Sequence, residues 1–383
     1  MSPNKHNNRR VRFIASAVLS LALCCTQAMA NRFTVIHSFQ GRDGSGPAAR
    51  LFRVGQQTLY GTTTQGGTGN CFAGCGVVFK INNLGRLVVL HNFAGGTDGS
   101  GPQAGVVRDS QGNLYGTTSS GGDPTCTCGI IFKLDKYGNE TVLHRFTGGN
   151  DGVSPLGDLV LDKVGNLYGT TAAGGSTNGG TIFKVDAAGN ETVLHSLTAD
   201  EGINPQAGLV RDVEGNLYGT TWQGGLSTGT IFRLDPAGQL TVLHDFVLDG
   251  TGPQALTRDA NGNLFGTTVQ GGTGSYGLVF KLDPAGNYTV LYNFSGRHGI
   301  NPEGGVVLDS AGNLYGVTLG GGNAACGTIF KVDTSGIEKV LYSFQCSEDG
   351  GLPRGGIIIN KLGHLFGTTT IFGGAGTIFR LIP

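Results

Sequence analysis

The sequence predicts an all-β chain folded as a seven-bladed β-propeller with four-stranded blades, and three observations lead there. The stretch Gly112-Asn113-Leu114-Tyr115-Gly116-Thr117-Thr118 occurs in seven versions, with central glycines at 61, 116, 169, 219, 266, 316 and 367. These stand 55, 53, 50, 47, 50 and 51 residues apart, and a near-fixed period of this size marks a repeat architecture. Each unit holds four short β-prone segments separated by turn residues, which is the make-up of a propeller blade. Finally, the last unit stops after its third segment, while the chain opens on a spare fourth. Phe33-Thr34-Val35-Ile36-His37-Ser38-Phe39 matches Glu140-Thr141-Val142-Leu143-His144-Arg145-Phe146. A chain one strand short at its end and one strand long at its start is built to close a ring. The N-terminal strand should pair with the last three C-terminal ones, removing the exposed edges of an open array. A stacked β-helix is the rival, but its repeats are usually shorter.

In chain order, residues 1–30 read as a secretory signal peptide. Lys5, Arg9, Arg10 and Arg12 form a basic start, Phe13 to Cys25 is an apolar run, and Ala28-Met29-Ala30 precedes a cut at Asn31. The run is too short for a bilayer anchor. Leu23 before Cys24 argues against a lipoprotein, where a small residue would stand. The propeller then occupies 31–383, with blades at about 47–93, 102–146, 155–197, 205–246, 253–294, 302–344, and 353–383 plus 32–39.

The third unit shows the grammar. Asp158-Leu159-Val160-Leu161-Asp162 is a short strand, and Asp162-Lys163-Val164-Gly165-Asn166 a turn with an Asx acceptor at its start. Leu167 to Thr171 is the second strand, whose mid-strand Gly169 implies close approach of a backbone or ring. After Gly174-Gly175 and a variable loop come a third strand, Gly180 to Val185, a like turn from Asp186, and a fourth strand, Glu191 to Leu197. The first unit (Arg53-Val54-Gly55-Gln56-Gln57) and the seventh (Asn360-Lys361-Leu362-Gly363-His364) depart from the first turn's pattern, as units flanking a closure do.

Composition narrows the function classes. Glycine supplies 70 of 383 residues, at fixed places among Val, Ile, Phe, Tyr and Thr, so it serves turns rather than low complexity. Without the four leader cations, 22 basic residues face 26 acidic ones, a net charge of −4. That gives no footprint for nucleic acid, and no further segment is apolar enough to span a membrane. Six cysteines remain, an even number suited to disulfides in an oxidising compartment. Cys71/Cys75 and Cys326/Cys346 are plausible pairs. Cys126 and Cys128 could close only a tight ring or cross-pair with the first two. A zinc site from Cys71, Cys75, Cys126 and Cys128 would need an ill-fitting one-residue spacer, so disulfides are favoured.

The motifs Gly-Asn-Leu-Tyr-Gly-Thr-Thr, Gly-Gly, Gly-Thr-Ile-Phe-Lys and Thr-Val-Leu-His-x-Phe, in order at this period, resemble the GloVer-type tandem repeats of exported bacterial proteins. The resemblance covers nearly the whole mature chain. It implies an extracellular location and varied C-terminal anchors, and it brings no activity. This sequence ends at Pro383 without a hydrophobic tail, so free secretion or periplasmic residence is expected. The Pro…Gly-Leu-Val-x-Asp…Gly-Asn-Leu-Tyr order is also similar to NHL-type propeller repeats. WD40 and kelch fit less well, with no Trp-Asp pair and a single tryptophan, Trp222.

Several residues are candidates for function, each with a structural reading beside it. His37, His91, His144, His195 and His244 share one position in the fourth strand, replaced by Tyr292 and Tyr342 in the last two units. On the outer rim they would be dispersed, and the exchange with Tyr points to a ring with a locally bonded polar tip. Asp43, Asp98, Asp151, Glu201, Asp249 and Asp349, with His298 once, precede Gly in the blade-to-blade connection and are read as turn chemistry. The sequons at Asn139, Asn190 and Asn287 fall on hairpin turns and are read as coincidence. No metal site and no cofactor are expected.

Residues repeated sevenfold serve the scaffold, so function should sit where units differ. The loop after Thr-Thr and the blade-to-blade connection share one face. There Trp222, beside Gln65, Gln223 and Gln270, could form a stacking platform or instead pack on a neighbouring blade. Tyr276, Arg297 and His298, and less so Phe72 and Phe372, vary on the same face. No nucleophile elbow, zincin motif or phosphate loop occurs. The expectation is a monomeric, non-catalytic binding module for an extracellular glycan, peptide or protein. The alternative is a polymer-degrading hydrolase or lyase with its site at the central mouth.

Overall fold

The computed structural model describes residues 32–383 except 56, 57, 83, 248 and 371–373. The leader peptide and Phe372 therefore lie outside the described residues. Seven antiparallel sheets form seven blades, six of them following the order of the chain. In blade 3 the strands are Val160–Leu161, Leu167–Thr171, Thr181–Val185 and Glu191–Ser196. In blade 7, Ile357–Ile359, Leu365–Thr369 and Thr377–Ile382 are completed by Arg32–Ser38 from the start of the chain. The register runs from Arg32 opposite Ile382 to Ser38 opposite Thr377, so the ring is closed by the two terminal strands as expected. Blade 5 differs in detail: its first strand is split into Thr251–Pro253 and Thr257–Arg258, both paired with Leu264–Gln270. There the Pro253-Gln254-Ala255-Leu256 segment is one residue shorter than its counterpart Pro205 to Leu209.

The seven-residue motif can be assigned residue by residue. In blade 2 the Asp109 carboxylate accepts the backbone amides of Gln111 and Asn113, the Asn113 side-chain amide at 2.7 Å and the Tyr115 hydroxyl at 3.0 Å. Leu114 enters the core. Gly116 lies opposite Phe132, whose ring folds over the glycine so that a Cβ there would stand 2.6 Å from Cζ. The same approach, 2.5 or 2.6 Å, recurs at all seven glycines of the motif. The first threonine ties one blade to the next: Thr62 donates to the Ala104 carbonyl at 2.7 Å and Thr267 to Pro302 at 2.8 Å. The second stays within its blade, as Thr118 does in donating to Ser120.

The core is distributed over seven clusters, one at each blade interface. Each joins the phenylalanine of a third strand to the residue following the fourth strand of the preceding blade. Phe93 meets Phe132 edge-on at 5.2 Å, and Phe294 meets Phe330 at 5.0 Å. Only the blade 3–4 interface lacks the aromatic pair, with Leu197 against Phe232. Toward the axis the small residues after each proline let neighbouring backbones touch. A Cβ on Gly157 would stand 2.5 Å from the Ala207 carbonyl oxygen.

One recurrent feature has no sequence signature. Every fourth strand carries a β-bulge between the central valine-type residue and the His/Tyr position. In blade 3, Val193 pairs with Phe183 and His195 with Ile182. The extra residue, Leu194, turns His195 to the side opposite Val193 and Glu191. The strand thus sends its first residue toward the preceding blade and its histidine toward the following one.

Candidate functional site

On the face of the Thr-Thr loops, the connections between blades pair with the residues after Thr-Thr: Ser45 with Gln65, Ile203 with Gln223, and Thr251 with Gln270. The shared face read from the sequence is therefore present. The residue before each proline there has a left-handed backbone. In order these are Gly46, Gly101, Ser154, Asn204, Gly252, Asn301 and Leu352. Leucine is costly in this conformation, and it is the bulkiest of the seven.

A cavity of about 600 Å³ opens at the mouth of the ring on this face. Gln65, Gln103, Leu319, Leu352, Arg354 and Thr370 line it, with Thr64 beside them. Its chemistry is neutral amides and hydroxyls against two leucines, with one ion pair at its edge: Arg354 Nε lies 3.1 Å from Glu303 Oε2. Burial raises the Glu303 carboxyl, and Arg354 opposes that shift. A carboxylate on another inner segment, Asp158, accepts the Gly105 amide of the neighbouring blade at 2.7 Å.

The expected site residues do not gather in one place. Gln65 is in the mouth cavity. Trp222 occupies the position equivalent to Thr64, and its half-buried indole lies over Gly252 of the next blade, about 3 Å from where a Cβ would be. Packing on a neighbouring blade thus describes one side of Trp222. Gln223 and Gln270 are exposed at equivalent positions on blades 4 and 5. Tyr276 and Phe72 are exposed on outer loops. Arg297 is exposed, and His298 is half exposed at the rim with Nδ1 3.0 Å from the Tyr292 hydroxyl. Arg354, Leu352 and Gln103 were missed by the sequence reading. A comparison of the residues flanking each proline would have found them. A second cavity, about 790 Å³, lies on the opposite face where blades 5 and 6 meet, lined by Arg50, Arg258, Asn261, Phe265, Lys281 and Asp309 among others.

The rim histidines and the connection carboxylates, read as two separate series, are partners. His37 meets Asp43 at 2.7 Å, His195 meets Glu201 at 2.9 Å and His244 meets Asp249 at 2.8 Å. Tyr342 donates to Asp349 at 2.8 Å, and Tyr292 meets His298 where the acid is replaced. Each pair is covered by the first residue of the next blade's fourth strand. Tyr288 stacks on His244 at 4.0 Å, and Phe33 stacks on Tyr342 at 4.0 Å. At three interfaces the covering residue is a glutamate. Burial and the facing Asp98 push Glu140 up to about 9, and burial with Asp151 pushes Glu191 up to about 7. Glu338 instead lies 2.8 Å from His298. The cysteines form three local disulfides, Cys71–Cys75, Cys126–Cys128 and Cys326–Cys346. The two plausible pairs are present, and the open question at Cys126 is answered by closure on Cys128. The four-cysteine zinc site is thereby excluded.

A closed ring of seven four-stranded blades with one asymmetric mouth defines a seven-bladed β-propeller of the tandem-repeat type. The chain belongs to the Gloeobacter/Verrucomicrobia repeat family, whose profile matches residues 24–160, 73–258 and 227–383. Among solved structures it is similar to the extracellular domain of a putative hybrid two-component system from B. thetaiotaomicron. The TM-score is 0.60 at 10% identity, over 91% of this chain and 39% of that one. A second structure, described as the extracellular domain of a putative one-component system from the same organism, gives 0.59 at 9% identity, with the same coverage. The present chain thus spans well under half of those domains, and the likeness is one of fold. A gluconolactonase from Xanthomonas campestris matches at a TM-score of 0.43 and 17% identity, over 71% of this chain and 82% of that one. No curated protein matches the chain. Among the described residues no helix is long and apolar enough to cross a membrane.

Proposed function

We propose that the protein is an exported, non-catalytic binding module that takes an extracellular glycan or peptide at the mouth on its Thr-Thr face. The observation that carries this reading is Leu352. Six equivalent positions meet the left-handed requirement with Gly, Ser or Asn, whereas blade 7 keeps a leucine there, in the wall of the cavity. A strained residue at a cavity wall points to a role for its side chain there. Leu319 and Leu352 supply an apolar wall, and Gln65, Gln103, Thr370 and Arg354 supply directional hydrogen bonds. This combination suits a neutral polar polymer. Trp222 and Gln223 continue the same face onto blade 4. The three disulfides and the extracellular neighbours in fold support export.

The enzymatic alternative, a hydrolase or lyase at the mouth, has Glu303 as its acid, since burial raises that carboxyl. General acid–base hydrolysis of a glycan needs a second carboxylate across the scissile bond. Asp158, an acid on another inner segment, is engaged by a backbone amide. The test is binding of residues 31–383 to arrayed polysaccharides and peptides, alongside Arg354→Ala, Leu352→Gly and Trp222→Ala. Saturable binding that Arg354→Ala weakens, with the ligand chemically unchanged, supports the module. Release of product that Glu303→Gln abolishes would replace it with the enzyme. Binding indifferent to Arg354 and Leu352 would remove the mouth as the site.

A further inference from the structure

At the rim between blades 1 and 2, three side chains from three segments converge. His91 comes from the fourth strand of blade 1, Asp98 from the short 3-10 turn Gly96–Asp98, and Glu140 from the start of blade 2's fourth strand. His91 Nε2 lies 3.4 Å from Asp98 Oδ2 and 4.0 Å from Glu140 Oε2. All three donor atoms fall within 4.8 Å of one another, the one such cluster of three or more His, Cys, Asp or Glu donors among the described residues.

Two further observations set the glutamate-covered pairs apart from the rest, and among the described residues only this one brings three donors together. Where the covering residue is Leu87, Leu240 or Tyr288, the histidine closes directly on its acid, at 2.7, 2.9 and 2.8 Å. With glutamate as the cover the pair stands open, at 3.4 Å under Glu140 and at 3.3 Å for His144 and Asp151 under Glu191. In addition, His91 Nε2 and Glu140 Oε1 are both sealed from solvent and have no hydrogen-bond partner. Unpartnered buried polar atoms are costly, and two facing carboxyls are relieved either by a shared proton or by a cation between them.

We propose that His91, Asp98 and Glu140 bind a divalent transition-metal ion of the Zn²⁺ class, which clamps blade 1 to blade 2. Ligand atoms about 2.0–2.1 Å from a tetrahedral zinc stand about 3.4 Å apart, so small movements of Glu140 complete the set. One imidazole and two carboxylates suit a borderline ion. Calcium would ask for six or more oxygens. The bulge explains why no linear motif announces the site: it turns Glu140 toward blade 1 while His144, four residues on, faces blade 3. The expectation that the scattered rim histidines do not converge on one another still holds. A single histidine meets two carboxylates instead.

The experiment is a titration of metal-free, disulfide-intact protein with ZnCl₂ by calorimetry, and with Co²⁺ by visible absorption. One equivalent of Zn²⁺ should bind with a dissociation constant of about 10 µM or tighter and raise the melting temperature. Glu140→Gln is nearly isosteric and should weaken binding by about tenfold or more, as should His91→Ala. His195→Ala, at a pair without the extra glutamate, should leave it unchanged. Trp222 fluorescence reports whether each variant is folded. No uptake at about 100 µM Zn²⁺ would overturn the site and leave two carboxyls sharing a proton. Uptake that survives both Glu140→Gln and His91→Ala would overturn it too, by placing the metal elsewhere.

Discussion

Replacing Gly169 by alanine isolates the contact that sets the thickness of every blade. Gly169 lies in a strand with an ordinary extended backbone, so alanine introduces no torsional penalty there. By itself, loss of glycine's unfolded-state freedom would stabilise the fold by about 0.4–1 kcal/mol. The new Cβ, however, stands 2.6 Å from Phe183 Cζ and 2.9 Å from Leu159 Cδ2. Carbon atoms prefer separations of about 3.5–4.0 Å, so the ring must retreat by about 1 Å. Phe183 is fully buried and touches the blade 2 cluster, which leaves nowhere to retreat without moving Phe146. Overpacking of this kind costs about 1–3 kcal/mol, and the net loss should be about 1–2 kcal/mol. With about 0.7 kcal/mol/K of unfolding entropy for a ring of about 350 residues, that lowers the melting temperature by about 1.5–3 °C. Urea unfolding followed by Trp222 fluorescence and circular dichroism would measure it, provided the two probes coincide. The double variant Gly169→Ala/Phe183→Leu should be less destabilised than the sum of its parts by about 1 kcal/mol. A neutral Gly169→Ala, or strict additivity with Phe183→Leu, would refute the argument that the ring holds this position open.

Thr62→Val removes the 2.7 Å bond to Ala104 and should cost about 1 kcal/mol in urea unfolding, whereas Thr368→Val, whose hydroxyl is buried without a partner, should be neutral or stabilising. Leu352→Gly relieves a left-handed leucine and should gain about 1 kcal/mol of stability while weakening ligand capture at the mouth, read by melting temperature and array binding together. Glu191→Gln tests the rim electrostatics through pH. Burial and Asp151 raise the folded-state carboxyl to about 7, above its value of about 4.5 in the unfolded chain, so the favourable neutral form is complete below about 4.5 and is lost as pH rises through 7. The variant should therefore match the parent near pH 4.5 and exceed it in melting temperature above pH 7; an equal difference at both pH values would contradict this.

Periodicity made the ring legible because each motif residue has a single structural duty. The Asp–Asn turns, the glycine beneath its phenylalanine and the spare N-terminal strand all follow from types and spacings. What the sequence hid is what depends on the bulge. His91 and Glu140 are 49 positions apart and sit in different blades. A regular strand with period two would put Glu140 and His144 on the same side. One extra residue places them on opposite sides, so two series that looked independent became partners across an interface. Trp222 was ambiguous for another reason: rarity marks a residue as unusual but does not say which of its two faces is covered. Gly252, bare and left-handed in the next blade, takes one of them.

The position of the mouth cavity follows from how the ring closes. Thr62, Thr117, Thr170, Thr220 and Thr267 each donate, as a bolt, to the inner segment of the next blade, over 2.7 to 3.4 Å. Blade 6 has Val317 at the bolt position, and the Thr368 hydroxyl of blade 7 has no partner. The interfaces on either side of blade 7 therefore lack the bond that Thr62 and Thr267 make. Leu319, Leu352, Arg354 and Thr370 all lie on this arc, and with Gln65 and Gln103 they surround the cavity. Restoring the bolt should test the link between closure and function. Val317→Thr should donate toward the inner segment of blade 7, gain up to about 1 kcal/mol, and narrow the cavity beside Leu352. If the mouth binds by adapting, this variant should be more stable and bind more weakly than the parent. A gain in stability with affinity unchanged would mean that the arc is rigid and that its leucines act by shape alone.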